Sequence, residues 1–281
     1  AVRRVGPNIM GYMLDEWVDA LAPDYLNKGF VDWLSKLGRP IFNRFIADPS
    51  AGDGIYSDYD TPNKAVRHVT QDPGLRTGFW RSVGHSSNAF FKESFIDELA
   101  QRAGIDELQF RLANMKNNPR LTEATELVAA KAGWGKPLPE GHFHGLATHS
   151  SFGSAVAQIA EVSIKGTQII VHKVTAAIHC GMVVNPEIVR DQVEGGIMYG
   201  LTAALYGEIT LVDGVVQQSN FHNYPMLRMA DAPEVEVHIV ESQEHPEGVG
   251  EPGLPPLAPA VANAVFKASG QRLRDLPLRL G

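Results

Sequence analysis

Gly248-Val249-Gly250-Glu251-Pro252-Gly253, written GVGEPG, and the LPPLAP that follows decide how this 281-residue chain is read. As letters the six residues match G-x-G-x-x-G, the turn that joins a buried parallel strand to a helix in dinucleotide-binding folds. Asp275 even lies near the spacing at which such a turn wants a ribose partner. The physical requirements are not met. Pro255, Pro256 and Pro259 remove amide donors that a pyrophosphate needs. Glu251 would place a carboxylate beside two phosphates. Only 28 residues follow Gly253, too few for the strands that complete a dinucleotide half, and Asp275 follows Arg272-Leu273-Arg274, a poor buried strand. A glutamate between glycines and a proline suits a different purpose. Glycines let backbone approach a bulky ligand, Pro252 fixes the turn, and the positive end of a helix starting nearby favours the ionised carboxylate. An aimed, partly buried carboxylate is what a general base requires. A tight connection with an exposed glutamate is the plain alternative, and for six residues read alone it is the favoured one.

The surroundings agree that this is no Rossmann alternation. Met10, Met13, Leu14, Trp17, Val18 and Leu21 recur at helical spacing, predicting a packing helix within residues 1–46. Residues 47–63 are rich in Gly, Asp, Ser and Pro and read as a long crossing loop. SSNAFFKESFIDELAQRAG places Phe91, Phe95, Leu99 and Ala103 on one helix face and stops at Gly104. Asp106 is set to cap a second helix through Leu108, Leu112 and Met115, and a third is expected over 122–132, ending at Gly133. The period then becomes two. VAQIAEVSI and QIIVHKVTAAI flank Lys165-Gly166, YGEITLV and VVQQSNF flank Asp213-Gly214, and residues 233–240 alternate as a half-buried strand. A last helix, 259–269, is apolar on nearly all sides and should be buried. Helices, then antiparallel strands, then a helix predict an α+β fold.

Composition narrows the function. The net charge is −7 with no basic stripe, which argues against nucleic acid and anionic membrane partners, and no apolar run is long enough to span a bilayer. Cys180 is the single cysteine, so the chain holds neither an internal disulfide nor an iron–sulfur cluster of its own. The first residue is Ala1, which reads as a processed chain or a piece of a longer one. His142 and His144 form H-x-H in a Gly-rich stretch and read as loop residues, because a metal needs further placed ligands. Cys180 reads as a buried small residue, and Asp97 and Glu98 as helix-surface or helix-packing charges. There is no Gly-x-Ser-x-Gly elbow for a serine hydrolase.

GVGEPGLPPLAPAVANAV resembles the C-terminal active-site segment of the molybdenum hydroxylases, the xanthine dehydrogenase and aldehyde oxidase family. Two further stretches resemble the same family. GFWRSVGHSSNAFFKESFIDELAQRAGIDELQFRL is similar to its Arg-x-x-Gly segment and long helix. HCGMVVNPEIVRDQVEGGIMYGLTAALYGEIT is similar to its Asn-Pro…Gln-x-Glu-Gly segment. With NFHNYPMLRMADAPEVEVHIV the resemblance covers roughly residues 55–280 in order. The wording most resembles the isoquinoline 1-oxidoreductase beta and periplasmic aldehyde dehydrogenase branch, and no Gly-Gln-Gly segment lies between Arg81 and Asn185, as that branch leads one to expect. His179 before Cys-Gly and Leu254 after the Glu251 motif depart from the family's aspartate and threonine, which puts substrate range in question.

The resemblance implies the C-terminal part of a molybdopterin-binding large subunit. It would comprise an N-terminal helical segment and linker (1–54), a helix-rich part with the Arg-x-x-Gly segment (55–145) and a strand-rich part with the glutamate (146–281). It implies hydroxylation of an aldehyde or N-heteroaromatic carbon with water-derived oxygen, active only with partner chains. Glu251 would be the base. Arg81, Ser82, Gly84, Gly248, Val249 and Gly250 would bind a molybdenum–molybdopterin cofactor, in its plain or cytosine dinucleotide form, with no protein ligand to the metal. Val83 would face substrate. The implied partners are the N-terminal part of the molybdenum subunit and a small 2Fe-2S subunit, with a cytochrome c as a further option, and the bacterial periplasm is expected in preference to the cytoplasm, which stays open as the alternative. The other class of reading is a scaffold that keeps the fold without turnover; retention of Glu251 and Arg81 argues against it.

Overall fold

The computed structural model describes residues 3–6, 49–55, 58–70 and 78–281. The expected helix within 1–46 lies outside them. A short parallel pair, β1 (Arg3–Gly6) and β2 (Arg67–Thr70), precedes the main body. Three helices follow: α1 (Val83–Ala103), α2 (Glu107–Ala113) and α3 (Pro119–Ala132). α1 ends at Gly104 as expected, and the Asp106 carboxylate accepts from the amides of Leu108 and Gln109 at 3.0 Å. Met115 falls just beyond α2. α3 begins three residues before the expected Thr122, because Asn118 caps it and Pro119 takes its first turn, where a missing N–H costs nothing.

The strands are β3 (Phe143–Ser151), β4 (Ser154–Lys165), β5 (Gln168–His179) and β8 (Glu234–Ile239), ordered β3-β4-β5-β8. Lys165-Gly166 begins the hairpin turn between β4 and β5 as the pattern indicated. β8 pairs parallel to β5, so the sheet is mixed. The crossing between them carries α4 (Pro186–Leu205) and a small hairpin, β6 (Leu211–Val212) and β7 (Val215–Val216), turning at Asp213-Gly214. α5 (Leu257–Ser269) ends the regular structure.

Both faces of the sheet are covered, which explains the continuous burial of β4 from Ser154 to Ala160. On one face Val156, Ala160, Val174, Ala176 and Ile178 meet α4 and α5 through Val193, Ile197, Val261 and Val265. On the other, Ala157, Ile159 and Ala177 meet Ala124 and Val128 of α3. α5 is seated close on β3: a Cβ on Gly145 would lie 2.1 Å from the Ala260 carbonyl oxygen and 2.3 Å from the Ala264 nitrogen. The buried Asn263 amide fixes that seat by donating to the Leu146 carbonyl at 3.0 Å.

α1 is turned the opposite way from its apolar pattern. Phe91 and Phe95 are each 38% exposed, while Asn88, Lys92, Glu93 and Asp97 are buried. The reason is a set of partners distant in sequence. Glu93 accepts from Tyr59 Oη at 2.7 Å, the Thr148 amide at 3.0 Å and Arg111 Nε at 3.0 Å. Asp97 pairs with Arg272 at 2.9 Å and faces Arg111 at 3.8 Å. Burial opposes the Arg111 charge, but Glu93, Tyr59 and Asp97 outweigh it and raise its pKa. Burial likewise raises Asp97, against the pull of the two arginines.

Candidate active site

Residues 169 apart in sequence meet here. Gly248–Gly253 runs from the end of the β8 segment towards α5, and the first turn of α1 faces it. Arg81 Nε donates to the Gly250 carbonyl at 3.0 Å, and Nη2 donates to the same oxygen. Nη2 also reaches the Gln192 carbonyl of α4 at 3.5 Å. The guanidinium lies 5.9 Å from the centre of the Tyr199 ring, within cation–π reach. Ser82 holds Glu251 twice. Its amide donates to Oε1 at 3.2 Å, and its hydroxyl donates to the Glu251 carbonyl at 2.8 Å. From the sheet, buried Gln158 donates to the Gly253 carbonyl at 2.6 Å.

The helix end serving Glu251 is therefore that of α1, not the α5 end expected from sequence. Ser82 and Val83 take left-handed backbone, at φ 69° and φ 45°. For a β-branched valine that is a strained conformation, costing on the order of 1–3 kcal/mol, and such strain clusters at functional sites. It aims the Ser82 amide at the carboxylate. α1 has no side-chain cap, and because the amides of Ser82, Val83 and His85 are donated within the protein, the Gly84 amide is the one left without a protein acceptor among the described residues in this first turn.

Glu251 is partly buried, and Oε2 has no protein partner among the described residues. The sequence-expected binders divide in two. The amides of Ser82, Val83 and Gly248 are used inside the protein, by Glu251, Trp80 and Phe152 respectively. Val249 and Gly250 carry amides with no protein acceptor among the described residues, and buried Gly84 lies in the open first turn of α1. Val83 and Gly84 line a cavity of about 370 Å³ with Trp80, Ala203, Leu254 and Pro255; Glu251 is not part of its wall. A set of unspent N–H donors around a carboxylate fits an anionic, oxygen- and sulfur-rich pterin group.

The Asn-Pro…Gln-x-Glu-Gly stretch has a physical explanation too. Asn185 caps α4 by accepting from the Glu187 and Ile188 amides at 3.1 and 3.3 Å, and Pro186 starts the helix. This brings the Gln192 carbonyl under Arg81. Cys180 is 2% exposed and burial pushes its thiol pKa up, as a packing residue requires. His144 corrects the sequence reading: it lies within β3, not in a loop. Glu161 on the neighbouring strand explains this, lying 2.6 Å from His142 and 3.8 Å from His144. Among the described residues no three histidine, cysteine or acidic side chains form a metal-holding group.

Sequence reasoning missed one set altogether. His85 Nδ1 and His149 Nε2 are 3.0 Å apart, and His149 Nδ1 is 3.0 Å from Lys92 Nζ, which also pairs with buried Asp58. The signal was weak: one histidine inside GHSSN and another in a strand that was not foreseen.

A family model described as a molybdopterin cofactor-binding domain matches residues 91–233. The chain belongs to the molybdenum hydroxylase family. It is 35% identical over 253 residues to isoquinoline 1-oxidoreductase subunit beta of Brevundimonas diminuta, covering 88% of this chain and 32% of that protein. It is 32% identical over 281 residues to a membrane-bound aldehyde dehydrogenase [pyrroloquinoline-quinone] of Gluconacetobacter polyoxogenes, covering 92% and 35%. The chain thus spans about a third of the length of these curated relatives. In fold it matches the aldehyde oxidoreductase from Desulfovibrio gigas with a TM-score of 0.67 at 14% identity, over 86% of this chain and 44% of that one. Among the described residues no helix is long and apolar enough to cross a membrane.

Proposed function

We propose that this chain is the C-terminal part of the large subunit of a molybdenum-dependent oxidoreductase that hydroxylates an aldehyde or an electron-poor N-heteroaromatic carbon, with Glu251 as its general base. One observation carries the reading. Glu251 is fixed at its carbonyl and at Oε1 by a single residue, Ser82, while Oε2 is free of protein partners among the described residues. Such a carboxylate is aimed yet still able to accept a proton. In net terms a substrate C–H becomes C–OH with oxygen from water, releasing two protons and two electrons. The molybdenum–pterin group, when bound, supplies the two-electron redox chemistry.

The chain's own residues do the rest. Glu251 Oε2 takes a proton. Arg81 holds the Gly250 carbonyl back, so the Val249, Gly250 and Gly84 amides are left to donate to the cofactor's acceptors. The apolar cavity beside Val83 suits a flat aromatic or aldehyde body. Electrons leave to iron–sulfur centres outside this stretch of sequence, whose single cysteine, Cys180, cannot hold a cluster. The N-terminal part of the subunit completes the cradle.

The test is Glu251→Gln in the assembled enzyme, scored by molybdenum content and turnover. General-base loss should lower kcat by at least about 100-fold with the metal retained. A wild-type assembly without molybdenum, or a variant that turns over at the wild-type rate, would refute the reading.

A further inference from the structure

Four side chains link the Glu251 site to the interior in one hydrogen-bonded row. Lys92 Nζ contacts three groups: the Gly54 carbonyl at 3.0 Å, Asp58 Oδ2, and His149 Nδ1 at 3.0 Å. An ammonium has three protons and no lone pair, so every one of these contacts is a donation. His149 Nδ1 is therefore an acceptor, and the proton of this fully buried ring must be on Nε2. Nε2–H then donates across 3.0 Å to His85 Nδ1. With Nδ1 accepting, the one proton of neutral His85 is on Nε2, which has no protein partner among the described residues.

The row is tightly enclosed. Gly54 has left-handed backbone, φ +76°, and a Cβ there would lie 2.5 Å from both His149 Nε2 and His85 Nδ1, so no side chain fits beside the pair. The His85 ring packs on Phe152 at 5.1 Å between centroids, and the Phe152 carbonyl accepts from the Gly248 amide at the start of the glutamate loop. His85 itself stands three residues after Ser82, and its amide donates to the Ser82 carbonyl. It thus touches both supports of Glu251.

We propose that Lys92 and His149 form a tautomer lock, which presents His85 as a neutral, Nε2-protonated imidazole beside Glu251 and makes His85 a positioning residue for that base. The row does not conduct protons. Its inner end, Asp58, is buried at 2% exposure, and among the described residues the row is not continued to the surface. What it does is forbid the imidazolium: a proton on His85 Nδ1 would point at the Nε2–H of His149, donor against donor. Burial, followed by the charge of Lys92, holds His85 below the ordinary histidine range, against Asp53, Asp58 and Glu251, which pull it up. Burial, Lys92 and His85 hold His149 well below it. Without the lock, His85 would charge in mildly acidic solution and form an ion pair with Glu251, draining its basicity.

The inference rests on Glu251 being the base, so its test has one readout that does not. In the assembled enzyme carrying ¹⁵N-histidine, imidazole nitrogen shifts at pH 7 should show both His85 and His149 neutral with the proton on Nε2. Two variants separate the lock from simple packing. In His149→Gln the amide can accept from Lys92 and donate to His85, so the lock is kept. In His149→Leu it is lost. The leucine variant should let His85 titrate and move the acidic limb of kcat/KM up by about one pH unit, while the glutamine variant keeps the wild-type profile. An Nδ1-protonated or charged His85 in the wild type, or a leucine variant with unmoved shifts and pH limb, overturns the proposal. If the wild-type nitrogen shifts are as stated while Glu251→Gln leaves turnover intact, the base assignment fails and the lock stands.

Discussion

Replacing Arg111 by methionine should be among the most damaging single changes in this chain, although the residue touches neither cavity nor Glu251. Arg111 is fully buried, and its guanidinium meets Glu93 Oε2 at 3.0 Å, the Glu93 carbonyl at 3.2 Å and the Glu107 carbonyl at 3.1 Å. Methionine fills much of the same space, so little of the loss is cavity. What remains is a buried Glu93 carboxylate whose donors are reduced to Tyr59 Oη and the Thr148 amide. Asp97 loses its second cation but keeps Arg272. Breaking a buried pair from one side costs about 3–5 kcal/mol. For a domain of this size that corresponds to roughly 6–20 °C in unfolding temperature. Calorimetry of the assembled enzyme reads it. Adding Glu93→Gln to Arg111→Met removes the stranded charge and should recover at least about 1 kcal/mol, which a double-mutant cycle isolates. A loss under about 1 kcal/mol for Arg111→Met, or no recovery in the double variant, would show that Arg111 does not compensate Glu93.

Two further outcomes follow from the packing and the buried histidine. Gly145→Ala must push α5 away from β3, because its Cβ would lie 2.1 Å from the Ala260 oxygen. It should cost at least about 2 kcal/mol and lower molybdenum content, through the shifted Glu251 loop; a variant of wild-type stability and metal content would count against the seat described. Stability should also fall as the pH drops. His149 is held well below its ordinary value when folded, so below about pH 6.5 the unfolded chain binds a proton that the folded chain refuses. The slope from this one group approaches about 1.4 kcal/mol per pH unit and should vanish in His149→Gln; equal slopes in both proteins would contradict it.

How much of this was legible in the sequence depended on whether the deciding partner was near in the chain. Gly104, Asp106, Gly133, the Lys165-Gly166 turn and the apolar α5 all act locally and were foreseen. The order of elements also gave the α+β class. Glu251 stood out through the glycines and proline around it, and the resemblance paired it with the Arg81 segment. The buried face of α1 was hidden, because Lys92, Glu93 and Asp97 look like surface charges until Asp58, Arg111 and Arg272 are placed against them. β3 was missed because FHGLATHSS carries little alternation and is covered on both faces. α4 carries the Asn-Pro motif, but its small residues give no amphipathic stripe to mark it as a helix.

The pairing of Arg81 with Gly250 and of Ser82 with Glu251 also sets an order of events. Each of these bonds closes a separation of 169 residues, and β8 joins the sheet only after the long crossing that carries α4. Contacts of such span form late, after the local hairpin and helices have narrowed the search. The Arg81–Ser82 side of the site therefore waits for its carboxylate until the segment after β8 has folded against it.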